Sequence, residues 1–211
     1  MLPSLCTKLV TFGCSITYGH GLADCVVNKF EPGKVPSKYA WPQIVADHLG
    51  LSLDNQSRPG ASNLEILHKI LNYKFKETDY VVVMWTFSNR DYIFGNKNLI
   101  TQKQSGTQVG SWQTGSLLDS WVAVHSESDL ATRTWLNVHH ANLFLKSMNI
   151  PVYNFFVSLK YLKKYKQSFV AVPYSNIKVE KLEEIDKALD NLHPGPKSHI
   201  AIAGKIIKVL S

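Results

Sequence analysis

Two hydrophobic periods alternate along the chain. Lys8-Leu9-Val10-Thr11-Phe12 is short, apolar and β-prone, and it stops at Gly13, which predicts a central strand. Gly and Pro recur from Gly19 to Pro36 and predict a loop. Tyr39 to Gly50 reads as a helix: Pro42 falls in its first turn, where a missing N–H costs little, and Gly50 offers a stop. Leu51 to Asn55 predicts a second short strand. Between Gly60 and Lys76 the residues Leu64, Leu67, Ile70 and Leu71 recur at helical spacing. Tyr80-Val81-Val82-Val83-Met84-Trp85 is a continuous apolar run, which suits a strand covered on both faces of a parallel sheet.

The pattern dissolves from Asp91 to Ser128, a stretch rich in Gly, Gln, Ser, Thr and Asn that holds Trp112 and Trp121. A structureless loop of this length is usually functional, so residues 91–128 read as a polar insertion covering a site. Helical spacing resumes from Asp129 to Met148, with Ser128 or Asp129 as its cap. Pro151 to Val157 predicts another strand and Ser168 to Val172 a short fifth. Val179 to Leu189 and Pro196 to Leu210 predict two closing helices. Strands alternating with helices point to an α/β fold with a parallel sheet covered on both faces. No repeat or linker divides residues 1–211, so one domain is expected.

Composition narrows this picture without redirecting it. The 211 residues are 45% hydrophobic, enough for a substantial core. No apolar run has the length to cross a bilayer, and residues 1–10 lack the layout of a secretory leader; a cytoplasmic protein is expected. The three cysteines, Cys6, Cys14 and Cys25, have the spacing of neither a disulfide framework nor a zinc site, so free thiols are expected. A net charge of +7 favours anionic partners weakly. Its densest run, Lys160 to Lys166, reads as a solvated face or as a contact for an acidic polymer; nothing else resembles a nucleic-acid module.

The chemistry lies at the two ends of the chain. Ser15 follows the first strand and Gly13, where a sharp turn would expose its hydroxyl at the carboxyl edge of the sheet. Asp190 and His193 are three residues apart, and Pro194 biases His193 towards an extended loop. A carboxylate on one ring nitrogen would fix the tautomer and leave the other to face the serine. Backbone N–H groups of Ser15 and Gly60, with the side-chain amide of Asn89 after the third strand, suit an oxyanion hole. His20 is placed to reach the mouth of the site, and Trp112 and Trp121 to stack on a sugar or acyl group or to fill the core under the insertion. His139 and His140 are adjacent on a helix and point to different faces, against joint metal ligation. His199 reads as a helix-surface residue or a site-lining one.

These blocks resemble the SGNH hydrolase superfamily, the GDSL-type esterases and lipases. Gly13-Cys14-Ser15, Gly60, Phe87-Ser88-Asn89 and Asp190-Asn191-Leu192-His193 match the family's four blocks in order, across most of the chain. The resemblance implies a three-layer α/β/α sandwich, flavodoxin-like, around a parallel sheet of about five strands. It implies an acyl-serine intermediate without metal or cofactor. Cys14 stands where the family carries Asp, and Phe87 where it carries Gly, so Arg90 or Ser88 is an alternative to Asn89 as donor. Cys14 has no second base of its own, which leaves Ser15 as the nucleophile. The expected activity is hydrolysis of a carboxylic ester, with small acyl groups on a carbohydrate favoured over lipid by the polar insertion. A non-catalytic glycan- or protein-binding module and an acyltransferase are the rival readings.

Overall fold

The computed structural model describes residues 6–27, 31–97, 104–110, 115–158 and 184–210. In chain order the elements are β1 (Lys8–Phe12), α1 (Ser15–Tyr18), α2 (Trp41–Leu49), β2 (Ser52–Asn55), α3 (Asn63–Asn72), β3 (Asp79–Trp85), β4 (Asp91–Lys97), β5 (Gln104–Val109), α4 (Ser116–Val124), α5 (Glu127–Ser147), β6 (Val152–Phe156) and α6 (Pro196–Leu210). Four strands form a parallel sheet in the order β2-β1-β3-β6. Leu9 pairs with Leu53 on one side and Tyr80 on the other. The chain leaves β1 to one side and returns to its other side at β3. In open α/β sheets the ligand crevice lies at such a reversal, beyond the carboxyl ends of the strands.

The two-residue period of the strands sorts the core into two layers. Val10, Phe12, Val81, Val83, Trp85 and Phe156 face Ile66, Leu67 and Ile70 of α3 and Trp135, Val138 and Leu145 of α5. Leu9, Tyr80, Val82, Met84 and Phe155 face Trp41, Val45 and Ala46 of α2 and Ile202, Ala203 and Ile206 of α6. The architecture is therefore a three-layer α/β/α sandwich. Every residue of β3 is buried, as its unbroken apolar run requires. Asn154, in the same sheet, keeps its amide paired: it accepts from Trp85 Nε1 at 2.8 Å and donates to Asn142 Oδ1 at 2.9 Å. No helix among the described residues is long and apolar enough to cross a membrane.

The sheet has four strands among the described residues; the expected fifth at 168–172, the basic run 160–166 and Trp112 lie outside them. Other expectations are corrected. Residues 91–128 are not a structureless insertion: β4 and β5 pair as an antiparallel hairpin, with Asp91 opposite Val109, and α4 follows. Helix α5 starts before the expected cap, because Ser126 accepts the N–H of Asp129 at 3.2 Å. The inward face of α3 is Ile66, Leu67 and Ile70, while Leu71 is exposed. Its N-cap is Ser62, whose hydroxyl accepts the N–H of Glu65 at 3.2 Å. The described end of the expected 179–189 helix, residues 184–189, forms turns and a bridge between Lys187 and Pro194.

Candidate active site

The first strand delivers Ser15 through a turn that only glycine fits. A Cβ on Gly13 would stand 2.1 Å from Thr17 Oγ1 and 3.2 Å from the Met84 carbonyl. Cys14 then caps the single turn α1, Ser15 opens it, and Gly19 closes it at φ 78° with its N–H on the Ser15 carbonyl. Ser15 is almost covered, at 5% exposure. Cys14 is fully buried, as a small apolar residue of the core.

The loop ahead of α6 is built around one carboxylate. Asp190 Oδ1 accepts the backbone N–H groups of Leu192 at 2.9 Å and His193 at 3.0 Å, with Asn191 in the left-handed region at φ 57°. Asp190 Oδ2 lies 2.6 Å from His193 Nδ1. One oxygen thus shapes the turn and the other holds the ring. Burial pushes the Asp190 carboxyl up, but the His193 and Leu192 N–H groups and the His193 ring outweigh it and hold the carboxyl below its ordinary value. The loop is tied at its base, where Asp186 accepts the N–H groups of Ser198 and Lys197 in the first turn of α6 at 2.8 and 3.0 Å.

His20 joins the two ends. Its backbone N–H donates to the Ser15 carbonyl at 3.0 Å. Its ring stacks on His193, centroids 4.5 Å and planes 29° apart. Among the described residues no hydrogen bond links the Ser15 hydroxyl to His193; such bonds are often long before substrate arrives. His20, Asp190 and His193 each offer a ligand atom within 4.8 Å of the others. Asp190 already accepts three N–H groups, one of them from the His193 ring. The trio fits acid–base work better than a metal centre.

Gly60 follows β2 at φ 76°, and the Gln108 side chain of β5 sits where a Cβ would project, at 2.7 Å. The loop before it runs along the end of β1: Gln56 N–H donates to the Thr11 carbonyl at 2.8 Å and Arg58 N–H to the Gly13 carbonyl at 3.2 Å. Asn89 is a half-buried turn residue after β3 with no hydrogen-bond partner among the described residues. Arg90 folds back on its own turn, its guanidinium 4.8 Å from the Phe87 ring centroid and 3.0 Å from Thr86 Oγ1. Arg90 and Trp121 share a cleft of about 280 Å³ with Asn63, Ser88, Asp91 and Arg133. Ser15, Asp190 and His193 do not line it. Trp121 is buried, donates to Asp91 Oδ2 at 3.1 Å and stacks on His125, so its face is taken. His199 is fully buried instead of lying on a helix surface. Its Nδ1 accepts the Trp41 N–H at 3.2 Å at the start of α2. His139 and His140 sit apart, ring centroids 6.3 Å, and His140 lines the cleft of Arg90 and Trp121.

The sequence reading missed Asn63 and Gln108. The Asn63 amide bonds Thr86 on both sides, accepting its N–H at 2.8 Å and donating to its carbonyl at 3.2 Å, and so ties α3 to the end of β3. Its place directly after the Ser62 N-cap, at the start of α3, was the available signal.

The chain superposes on solved esterases along nearly all its length. One is a carbohydrate esterase whose active site is described as having divergent catalytic and non-catalytic binding functions: 13% identity, TM-score 0.58, covering 99% of this chain and 69% of that one. An acetyl xylan esterase from the rumen bacterium Butyrivibrio proteoclasticus matches at 16% identity and TM-score 0.55, over 99% of this chain and 64% of its own length. A member of the lipolytic protein G-D-S-L family from Veillonella parvula matches at 15% identity and TM-score 0.54, over 96% and 97%. The fold is that of the GDSL-type hydrolases. In this GDSL arrangement the first three sequence blocks follow the carboxyl ends of β1, β2 and β3, and the Asp190–His193 block precedes α6. No family model matches the chain, and no curated protein sequence does.

Proposed function

We propose that this chain is a serine ester hydrolase acting on small acyl esters, acetate on carbohydrate first among them. The observation that carries the reading is the Asp190–His193 pair, held at 2.6 Å beside a turn bonded to Ser15. Ser15 Oγ attacks the ester carbonyl carbon, and its proton passes to the His193 nitrogen that Asp190 does not hold. The carbonyl electron pair moves onto oxygen, where the N–H groups of Ser15 and Gly60 and the Asn89 amide are the proposed donors. Collapse breaks the bond to the alcohol, which leaves with the proton from His193. Water then attacks the acyl carbon with the same nitrogen as base, and Ser15 regains its proton as the acid departs. Asp190, already ionised, offsets the charge on the imidazolium.

The acetyl xylan esterase among the structural neighbours supports the acyl class, and the polar hairpin beside Gly60 agrees with it. Hydrolysis of p-nitrophenyl acetate and of acetylated xylo-oligosaccharide tests the reading. Wild-type turnover should fall by about 10³-fold or more in Ser15→Ala and His193→Ala. Equal slow turnover in all three proteins contradicts it and favours the binding module, which the missing Ser15–His193 hydrogen bond also suits. Ester product formed on an added alcohol identifies a transferase with the same residues.

A further inference from the structure

The turn after α1 holds an imidazole that this reaction scheme does not use. His20 is buried, at 8% exposure, and reaches both ends of the site: its backbone N–H meets the Ser15 carbonyl and its ring covers His193. The residue beside it is shaped to the same purpose. Gly21 accepts the Leu189 N–H at 2.9 Å and lacks the side chain that would strike the Asp190 carboxylate. The whole turn is moulded on residues 188–193.

The stack has two consequences. The Asp190 bond fixes the His193 ring at one atom, Nδ1, which leaves tilt about that bond unconstrained. A flat ring packed on its face removes that freedom, and small misplacements of a catalytic group cost large factors in rate. The second consequence is charge. The titratable groups facing His20 are His193 and Asp190; beyond them stands His199, which feels both His193 and Asp186. Burial first, then the His193 charge, push His20 below the ordinary histidine range, with Asp190 pulling the other way. Its Nε2 is buried with no hydrogen-bond partner among the described residues, so a positive charge there has no acceptor. A neutral His20 leaves Asp190 free to offset an imidazolium on His193. A charged one would confront it across 4.5 Å.

We propose that His20 is a positioning residue: its ring holds His193 in register with Ser15, and its neutrality is what lets His193 take the serine proton. The proposal rests on the esterase reading above. It is tested with wild type, His20→Phe and His20→Ala. In kcat/KM against pH, the wild-type acid limb should keep a slope of one down to about pH 5, because the buried His20 stays neutral and only one imidazole has to lose a proton. His20→Phe keeps the stack without a titratable ring: the acid limb should match that of wild type, with turnover at pH 7.5 within about three-fold. His20→Ala removes both, and kcat should drop about 10- to 100-fold while KM stays within about two-fold. A crystal structure of His20→Ala should show the His193 ring turned from its present plane. A wild-type acid limb steeper than that of His20→Phe, or an unmoved His193 in His20→Ala, overturns the proposal. The crystal structure decides the positioning role even if Ser15→Ala retains activity, which would sink the esterase reading alone.

Discussion

Gly21 makes room for Asp190. A Cβ on Gly21 would stand 2.6 Å from the Asp190 carboxyl carbon, and its φ of 86° is one that side chains rarely adopt. Gly21→Ala should therefore disturb the dyad through a residue that touches no substrate. A control separates strain from collision: Gly50, at φ 65°, has nothing within 4 Å of the added atom. Gly50→Ala should cost about 1 kcal/mol of stability and leave turnover intact. Gly21→Ala should lose at least about 10-fold in kcat as well. Steady-state kinetics and thermal melts on both variants check this, and equal kinetics contradict it.

Asp190 is asked for acceptors at both oxygens. Asn in its place can keep the turn through its carbonyl but presents an N–H₂ to His193 Nδ1, which favours the wrong tautomer. Asp190→Asn should lower kcat by about 10³- to 10⁴-fold with an unchanged circular dichroism spectrum. Asp190→Ala should also lower the melting temperature. A ten-fold effect or less for Asp190→Asn would remove the carboxylate from the mechanism.

Acid should unfold this protein early, and His199 is a main reason. Burial pushes its imidazole down to about 4 from an ordinary 6.5; the Asp186 attraction partly opposes this and the His193 repulsion adds to it. The fold favours the neutral ring, which accepts the Trp41 N–H. Its contribution is therefore complete above about pH 6.5 and lost as pH falls towards 4, on the order of 3 kcal/mol in all. Asp190 and Asp186, both held below the ordinary carboxylate value, add loss in the same direction at lower pH. His199→Gln keeps an acceptor without a proton. Thermal melts at pH 7.5 and pH 5 should show a smaller acid-induced fall in this variant than in wild type; an equal fall contradicts the assignment.

The hairpin braces the glycine loop through Gln108, whose Nε2 lies 3.3 Å from both the Pro59 carbonyl and Glu65 Oε2. Gln108→Ala should lower kcat several-fold with little change in KM, as expected of a lost support for the proposed oxyanion donor Gly60. Gln108→Glu replaces that donor by a carboxylate facing Glu65 and should be worse. Variants with wild-type kcat would mean that Gly60 holds its place unaided.

The readable parts of the sequence were those that local pattern determines. β1, β3 and α2 carry runs or caps whose burial follows from their own residues. The Asp190–His193 pair was legible because its bond closes within a single turn. The hairpin was not: Gln104-Ser105-Gly106-Thr107-Gln108 has no apolar alternation, and β5 forms only against β4. The roles of His20 and His199 were hidden for the same reason. One depends on a ring 173 positions away and the other on an N–H 158 positions away. Trp121 could be read as a stacking platform or as core filling under the insertion, and its burial against His125 and Asp91 favours the second.

The central claim is that Ser15 is a nucleophile activated by His193. Incubation with a fluorophosphonate followed by peptide mass spectrometry tests it without knowledge of the natural substrate. The expected result is one adduct, on Ser15, absent in Ser15→Ala and formed far more slowly in His193→Ala. An adduct on Cys14, or the same labelling rate with and without the imidazole, contradicts it.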